Sequence, residues 1–422
     1  MNSFFSYIKE RFFFLMSFTF CKAIVFLVPL VLAEVLSKDN FGILEYALAG
    51  LGMVLNTTIN LGIPGAYPFF KLRQKSLSIL KGFDIHFLWL LLLFLVNQFC
   101  YFIYDSFSIE YYMALNIAYI VANQVFISTK LKTDDKIIKA IFFDSGVYLI
   151  LLAFVGLNYL GLTKNTIDNI NLFIQVYAVV FALLSISKLF NIKKRYLVKY
   201  FRILKFSYSI LFSSILIFFI TVSGRFLIEF FFKDFELVGI YSFYFRLAAI
   251  VVMIYQVISI SFFKKIYTLE PRILDKYFAA FFIGLYVISM FSFYVSSYIV
   301  PFFSDYYNDT ILAYKSIYFI LSVQVVFWIS SALTSNIIDR EELAKKISIV
   351  FTVLIFFFIA ILYVFKDALT IELYTIMHFI VIFIATMAQF IVLFRKKIFF
   401  IKTMIVLSIL FLLTITIFKI KY

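Results

Sequence analysis

The stretch FFITVSGRFLIEFFF, residues 218–232, is hydrocarbon almost throughout, yet Arg225 sits inside it and Glu229 follows one helical turn later. A little further on, YSFYFRLAAIVVM (241–253) places Arg246 in equally apolar company. A helix needs about 20 apolar residues to cross a bilayer core about 30 Å thick. Runs of that kind recur along the whole chain of 422 residues, which is 64% hydrophobic and only 14% charged, with a mean hydropathy of +1.04. A soluble fold of this composition would have a core and almost no surface. A membrane barrel would show alternating polar and apolar residues in short segments, and these runs are continuous. The sequence therefore predicts an all-α polytopic membrane protein.

Spans are expected near 12–36, 43–63, 84–104, 111–129, 138–160, 169–190, 206–232, 237–262, 276–299, 311–335, 346–365 and 372–394, with a thirteenth candidate at 402–418. The run after Lys9 and Arg11 continues to Leu36 without a small-residue cleavage site, so it reads as a retained first span rather than a signal peptide. With the N-terminus in the cytoplasm, loops that alternate to the inside hold Lys71, Arg73, Lys75 and Lys81, then Lys130, Lys132, Lys136 and Lys139, with further clusters around 188–205, 264–276, 340–346 and 395–402. Outer loops hold little more than Lys38, Lys164, Lys233, Lys315 and Lys366. That asymmetry is the positive-inside pattern. It also accounts for the net charge of +15 without a nucleic-acid partner. Abundant Phe and Tyr suggest AT-rich coding, and with this orientation the expected location is a bacterial inner membrane.

The basic stretch NIKKRYLVKYFRILKF (191–206) divides the spans into six and six. The expected organisation is a lobe over 1–190, a cytoplasmic linker over 191–205, a second lobe over 206–394, and a C-terminal segment over 395–422. The halves echo each other. KDNFGILEYALAG (38–50) and KDFELVGIYSFYFRLA (233–248) both place an acidic outer turn before Gly-Ile and an aromatic-rich helix. Two parallel six-helix bundles related by an axis along the membrane normal follow from that echo, and such repeats mark transporters.

A cation at the centre of a span costs about 2.5–3.5 kcal/mol on insertion scales, so it faces a partner or a watery cavity. Lys22 lies near mid-depth of span 1, Arg225 in the outer part of span 7 and Arg246 near the middle of span 8. If these three line one central cavity, they would attract a polyanion, and the guanidinium fork suits phosphate. Plainer readings stand beside this one. Arg225 and Glu229 sit at i,i+4 and can neutralise each other; Lys22 can snorkel or pair with an acid. Glu229, Asp144, Glu34 and Glu45 are the candidate partner or coupling acids. Of these, Asp144 also reads as an inner-rim residue near Lys139, and Glu34 and Glu45 as interfacial. His86 and His378 stand alone near span ends, without metal-ligand company. Asn56 and Asn60 share a face of span 2, Asn116 and Asn123 share one of span 4, and Gln98, Gln175, Gln256, Gln324 and Gln389 recur as interhelical polar groups. No Walker loop, GxSxG, HExxH or dinucleotide fingerprint occurs, and Cys21 and Cys100 both fall in spans. No enzyme, metal or cofactor is expected; any driving force would come from an H+ or Na+ gradient or from consumption of the product.

FLVPLVLAEVLSKDNFGILEYALAGL (26–51), with Pro29, Leu32, Ala33, Leu36, Phe41 and Gly42, resembles the start of bacterial polysaccharide flippases of the MOP (MATE-like) exporter superfamily. SGRFLIEFFFKDFELVGIYSFYFRLAAIV (223–251) is similar to the same family through Arg225-Phe226 and Val238-Gly239-Ile240-Tyr241, and FFKKIYTLE (262–270) to its basic inner segment. The family often has Asp before that arginine; here Gly224 replaces it, and Glu229 is the candidate substitute. The resemblance implies a Wzx-type O-antigen flippase. Such a protein moves an undecaprenyl-diphosphate-linked oligosaccharide from the cytoplasmic to the periplasmic leaflet by alternating access, beside membrane lipids and other O-antigen assembly proteins. The alternatives are an O-antigen polymerase, which usually carries long, arginine-bearing outer loops, and a small-molecule exporter of the same superfamily. The outer loops near 161–168 and 300–310 are short and carry almost no Arg.

Overall fold

The computed structural model describes residues 2–190, 192–255 and 269–422. Gln256 and the basic segment through residue 268 lie outside them. Helices follow one another as α1 (Asn2–Val35), α2 (Lys38–Ala49), α3 (Leu51–Ile59), α4 (Ile63–Pro68), α5 (Leu77–Leu80), α6 (Ile85–Ile103), α7 (Ile109–Thr133), α8 (Ile137–Asp144), α9 (Gly146–Tyr159), α10 (Ile167–Leu189), α11 (Arg195–Thr221), α12 (Gly224–Phe232), α13 (Phe235–Ala248), α14 (Pro271–Ile299), α15 (Asp305–Arg340), α16 (Ala344–Val364), α17 (Ile371–Phe394) and α18 (Ile401–Lys421). No strand occurs among the described residues. Ten of the described helical segments are long and apolar enough to cross a membrane, or 11 if α8 and α9, bent by 57° at Ser145, form one span. The all-helical polytopic class is thus the observed one.

The echo between the two acidic turns has a physical cause. Ser37 accepts from the backbone N–H of Asn40 and starts α2, while Asp234 accepts from that of Leu237 and starts α13. Each turn supplies the side-chain oxygen that an exposed helix start requires. Span 2 begins earlier than expected, at Lys38, and breaks at Gly50 instead of running unbroken over 43–63.

Contacts divide the chain into Met1–Ile215 and Leu216–Tyr422. In the N-terminal unit α7 is the central helix, packed by α2, α3, α6, α8 and α10. It is not among the strongly apolar spans because it carries Asn116, Asn123 and Gln124, all buried. In the C-terminal unit the corresponding place belongs to α15, 89% buried over its most apolar window and packed by α13, α14 and α17. Each unit is thus organised on the fourth of its six expected spans.

The stretch expected as a linker over 191–205 is helical from Arg195. Tyr196, Tyr200 and Ile203 recur at i, i+4 and i+7, so they share one face. That face joins a buried aromatic core with Tyr67, Phe70, Phe83, Phe87 and Phe126. Of the basic residues between them, Arg202 is exposed and Lys199 reaches across to the Ser78 carbonyl; this density of charge is why the segment reads as a loop when only charge is considered.

The C-terminal segment forms a helix of 21 residues, α18. Asp275 of α14 caps it: the carboxylate accepts from the backbone N–H of Lys402 at 3.0 Å and of Thr403 at 2.8 Å. The Thr403 hydroxyl donates to the same carboxylate at 2.7 Å. Further along, Phe411 stacks on Phe383 at 4.0 Å and Thr414 meets the Tyr286 hydroxyl at 3.1 Å. The helix at the thirteenth candidate span, α18, is therefore packed into the C-terminal unit.

Candidate functional site

The opening stretch folds as two helices. α11 stops at Thr221 and α12 starts at Gly224. Thr221 and Ser223 both turn their hydroxyls back onto the preceding turn, to the carbonyls of Ile217 at 2.7 Å and Phe219 at 2.6 Å. Such back-bonding bends helices. A break inside hydrocarbon leaves backbone groups that neighbouring helices must satisfy. Here α17 supplies both partners. His378 lies 3.0 Å from the Ile220 carbonyl through Nε2, which must donate there. Tyr374, one turn earlier on the same helix, donates to the Gly224 carbonyl at 3.4 Å. The imidazole, Phe358 and Tyr374 form a three-ring cluster, with His378 5.9 Å from each ring and the two rings 6.5 Å apart. Its Nδ1 faces the Gln324 amide of α15 at 3.5 Å.

Gly224 is required by close approach. A Cβ there would fall 2.5 Å from the Tyr241 hydroxyl. The acid that the resemblance leads one to expect at this position has no room, because α13 fills it with a phenol. Arg225, 4% exposed, donates through Nε to Ser242 at 2.8 Å and lies 4.9 Å from the centre of the Phe245 ring. Arg246, also buried, follows Ser242 by four positions, so the two share a face of α13. The break in span 7 thus brings Arg225 onto the α13 face that carries Arg246. Glu229 pairs with Lys233 at 3.3 Å.

Lys22 belongs to the N-terminal unit. It is half-buried on α1, 5.7 Å from the Phe18 ring centre, and the Asp144 carboxylate of α8 acts on it electrostatically. Asp144 pairs with Lys132 at 2.6 Å. Glu34 is exposed, whereas Glu45 is fully buried.

The polar residues of span 4 knit the N-terminal unit together. Asn97 and Gln98 of α6 both donate to Asn116 Oδ1, at 3.0 and 2.9 Å. Tyr112 donates to Gln98 Oε1 at 2.6 Å, and Gln175 of α10 reaches the same oxygen at 3.4 Å. Asn60 donates to Asn56 Oδ1 at 2.7 Å, as their shared face implied. Neither histidine is isolated: His86 Nδ1 lies 3.1 Å from the Tyr200 hydroxyl. The partners of His86 and His378 come from helices far away in sequence, which no local pattern announces.

No protein-family model matches the sequence, and no curated protein matches it. Among solved structures, a MOP superfamily transporter from Pyrococcus furiosus Vc1, whose binding pocket is described as reversed in polarity, is similar at 12% identity. The match covers 92% of this chain and 94% of that one, with a TM-score of 0.38. A likeness that weak assigns neither family nor fold, so the functional reading rests on the side chains described above.

Proposed function

We propose that this protein is a flippase for a lipid-linked oligosaccharide, moving a prenyl-diphosphate headgroup from the cytoplasmic to the periplasmic leaflet of a bacterial inner membrane by alternating access. The observation that carries the reading is the placement of Arg225 and Arg246 on one buried side of α13, at a broken span whose backbone is satisfied from α17. A diphosphate and its sugars lose their hydration on entering hydrocarbon, at a large free-energy cost. Guanidinium groups held in apolar surroundings offset that loss, because each planar fork presents paired N–H donors to phosphate oxygens. A broken helix also relaxes the backbone where a substrate must be accommodated. Lys22 is the third candidate cation. Glu229, Asp144, Glu34 and Glu45 are the candidate acids for coupling to an H+ or Na+ gradient.

The test is leaflet-resolved tracking of the lipid-linked oligosaccharide in cells with and without the protein. The reading expects units trapped on the cytoplasmic side when the protein is absent. Accumulation of single unpolymerised units on the periplasmic side would assign the protein to polymerisation and overturn it.

A further inference from the structure

Cations at the end of the N-terminal unit where α5 meets the start of α11 fall into two groups. In the first, each lysine has its own acid. Lys71 bonds Asp134, and Lys130 bonds Asp84 at 2.9 Å; Lys130 also lies 4.6 Å from the Phe126 ring centre and 5.0 Å from that of Phe87. The second group surrounds one buried tyrosine. Arg195 and Lys199 each lie 5.6 Å from the ring centre of Tyr196, and Lys81 and Lys193 act electrostatically on its hydroxyl. Lys199 donates to the carbonyl of Ser78 at 2.9 Å. A Cβ at Gly82 would meet Cβ of Lys199 at 2.9 Å, so the turn after α5 touches α11 and brings Lys81 beside it. None of these four cations pairs with a carboxylate among the described residues.

Like charges gathered this closely repel one another unless an anion lies among them. The apolar residues next to the cations point to the kind of anion. Val198 is 75% exposed and Phe201 67% exposed, on the turn of α11 that carries Lys199. An inorganic phosphate would make no use of that surface, whereas a phospholipid would cover it with its acyl chains.

We propose that Lys81, Lys193, Arg195 and Lys199 form a binding site for the phosphate headgroup of an anionic phospholipid, whose acyl chains lie along Val198 and Phe201. The site is built from residues of the N-terminal unit and does not depend on what the protein transports. Basic pockets between spans are suited to such headgroups, and exposed basic clusters draw them by charge. Full-length protein in detergent is titrated with cardiolipin, phosphatidylglycerol or phosphatidylcholine, and bound lipids are counted by native mass spectrometry. Both anionic lipids should be retained in preference to phosphatidylcholine. The triple variant Lys81→Gln, Lys193→Gln, Arg195→Gln should lose one bound anionic lipid or bind it at least about tenfold more weakly. A charge-matched control, Lys345→Gln, Lys346→Gln, Lys396→Gln, should leave that lipid in place. Exchanging Lys81 and Lys193 for Arg should preserve binding, and Lys81→Gln alone, at an exposed position, serves if the triple variant unfolds. Val198→Ser with Phe201→Ser should weaken the lipid while leaving the cations intact. Equal loss in the control, unchanged binding in the triple variant, or displacement of the lipid by inorganic phosphate or polyglutamate would overturn the proposal.

Discussion

His378 and Tyr374, one turn apart on α17, hold the two sides of the break in span 7: the imidazole takes the Ile220 carbonyl at 3.0 Å and the phenol takes that of Gly224 at 3.4 Å. A break between α11 and α12 in an apolar setting persists because both carbonyls find partners on a neighbouring helix. The arginines then owe their place to a backbone irregularity that a third helix makes tolerable.

Replacing His378 by Phe should keep the stack on Phe358 and remove the bond to Ile220. A buried acceptor left unsatisfied costs about 1–3 kcal/mol. Thermal unfolding of the purified protein should show that loss, with a smaller one for Tyr374→Phe, whose bond is longer. Parental stability for His378→Phe would mean that the break is held by something other than the imidazole.

Gly224→Ala should be destabilising, because the added methyl lies 2.5 Å from the Tyr241 hydroxyl and 2.7 Å from Cζ. Overpacking of this kind costs about 1–3 kcal/mol. Tyr241→Ala opens the space, so the double variant should be less unstable than the two single losses added together. A double-mutant cycle measures that coupling directly. Strict additivity would show that the two side chains do not compete for the same volume.

Arg225→Lys keeps a charge but removes the planar group that bonds Ser242 and stacks on Phe245. Lysine does not replace an arginine that works through its fork. Translocation of the lipid-linked oligosaccharide should fall at least about tenfold in Arg225→Lys, taking a lost charged hydrogen bond as about 1.5–3 kcal/mol, and should be abolished in Arg246→Ala. Membrane insertion and amount of protein, read by blotting, should be unchanged. Normal surface polysaccharide from an inserted Arg246→Ala protein would remove that residue from the transport machinery.

Asp275→Ala should release the start of α18. The carboxylate accepts two backbone N–H bonds and one hydroxyl bond there. Losing a capping carboxylate costs about 0.5–2 kcal/mol. The expected readout is faster proteolysis near residues 395–402 and greater labelling of a cysteine placed at Thr403. Unchanged protection would show that the aromatic contacts of Phe411 hold the helix without the cap.

The membrane class, the repeated acidic turn and the unusual character of Arg225 are all legible in the sequence. Each depends on local composition: apolar length sets a span, a side-chain oxygen starts a helix, and a guanidinium in hydrocarbon needs a reason. The helical start of α11 was also encoded, in the spacing of Tyr196, Tyr200 and Ile203. Its density of positive charge hid it, because a charge-based reading assigns such a run to a loop.

Other features depend on which helices become neighbours, and no local pattern carries that information. Asp144 turned to Lys132, and Lys22 came under its influence. Glu45 went fully inside. His378 found partners on α11 and α15, and Tyr241 filled the place where an acid was expected beside Arg225. The sequence by itself determined that cations would be carried into apolar spans, because hydropathy is a property of single residues summed along a chain. Only tertiary packing decided what each one meets there, because hydrogen bonds and ion pairs act over a few ångströms between groups that lie far apart in the sequence.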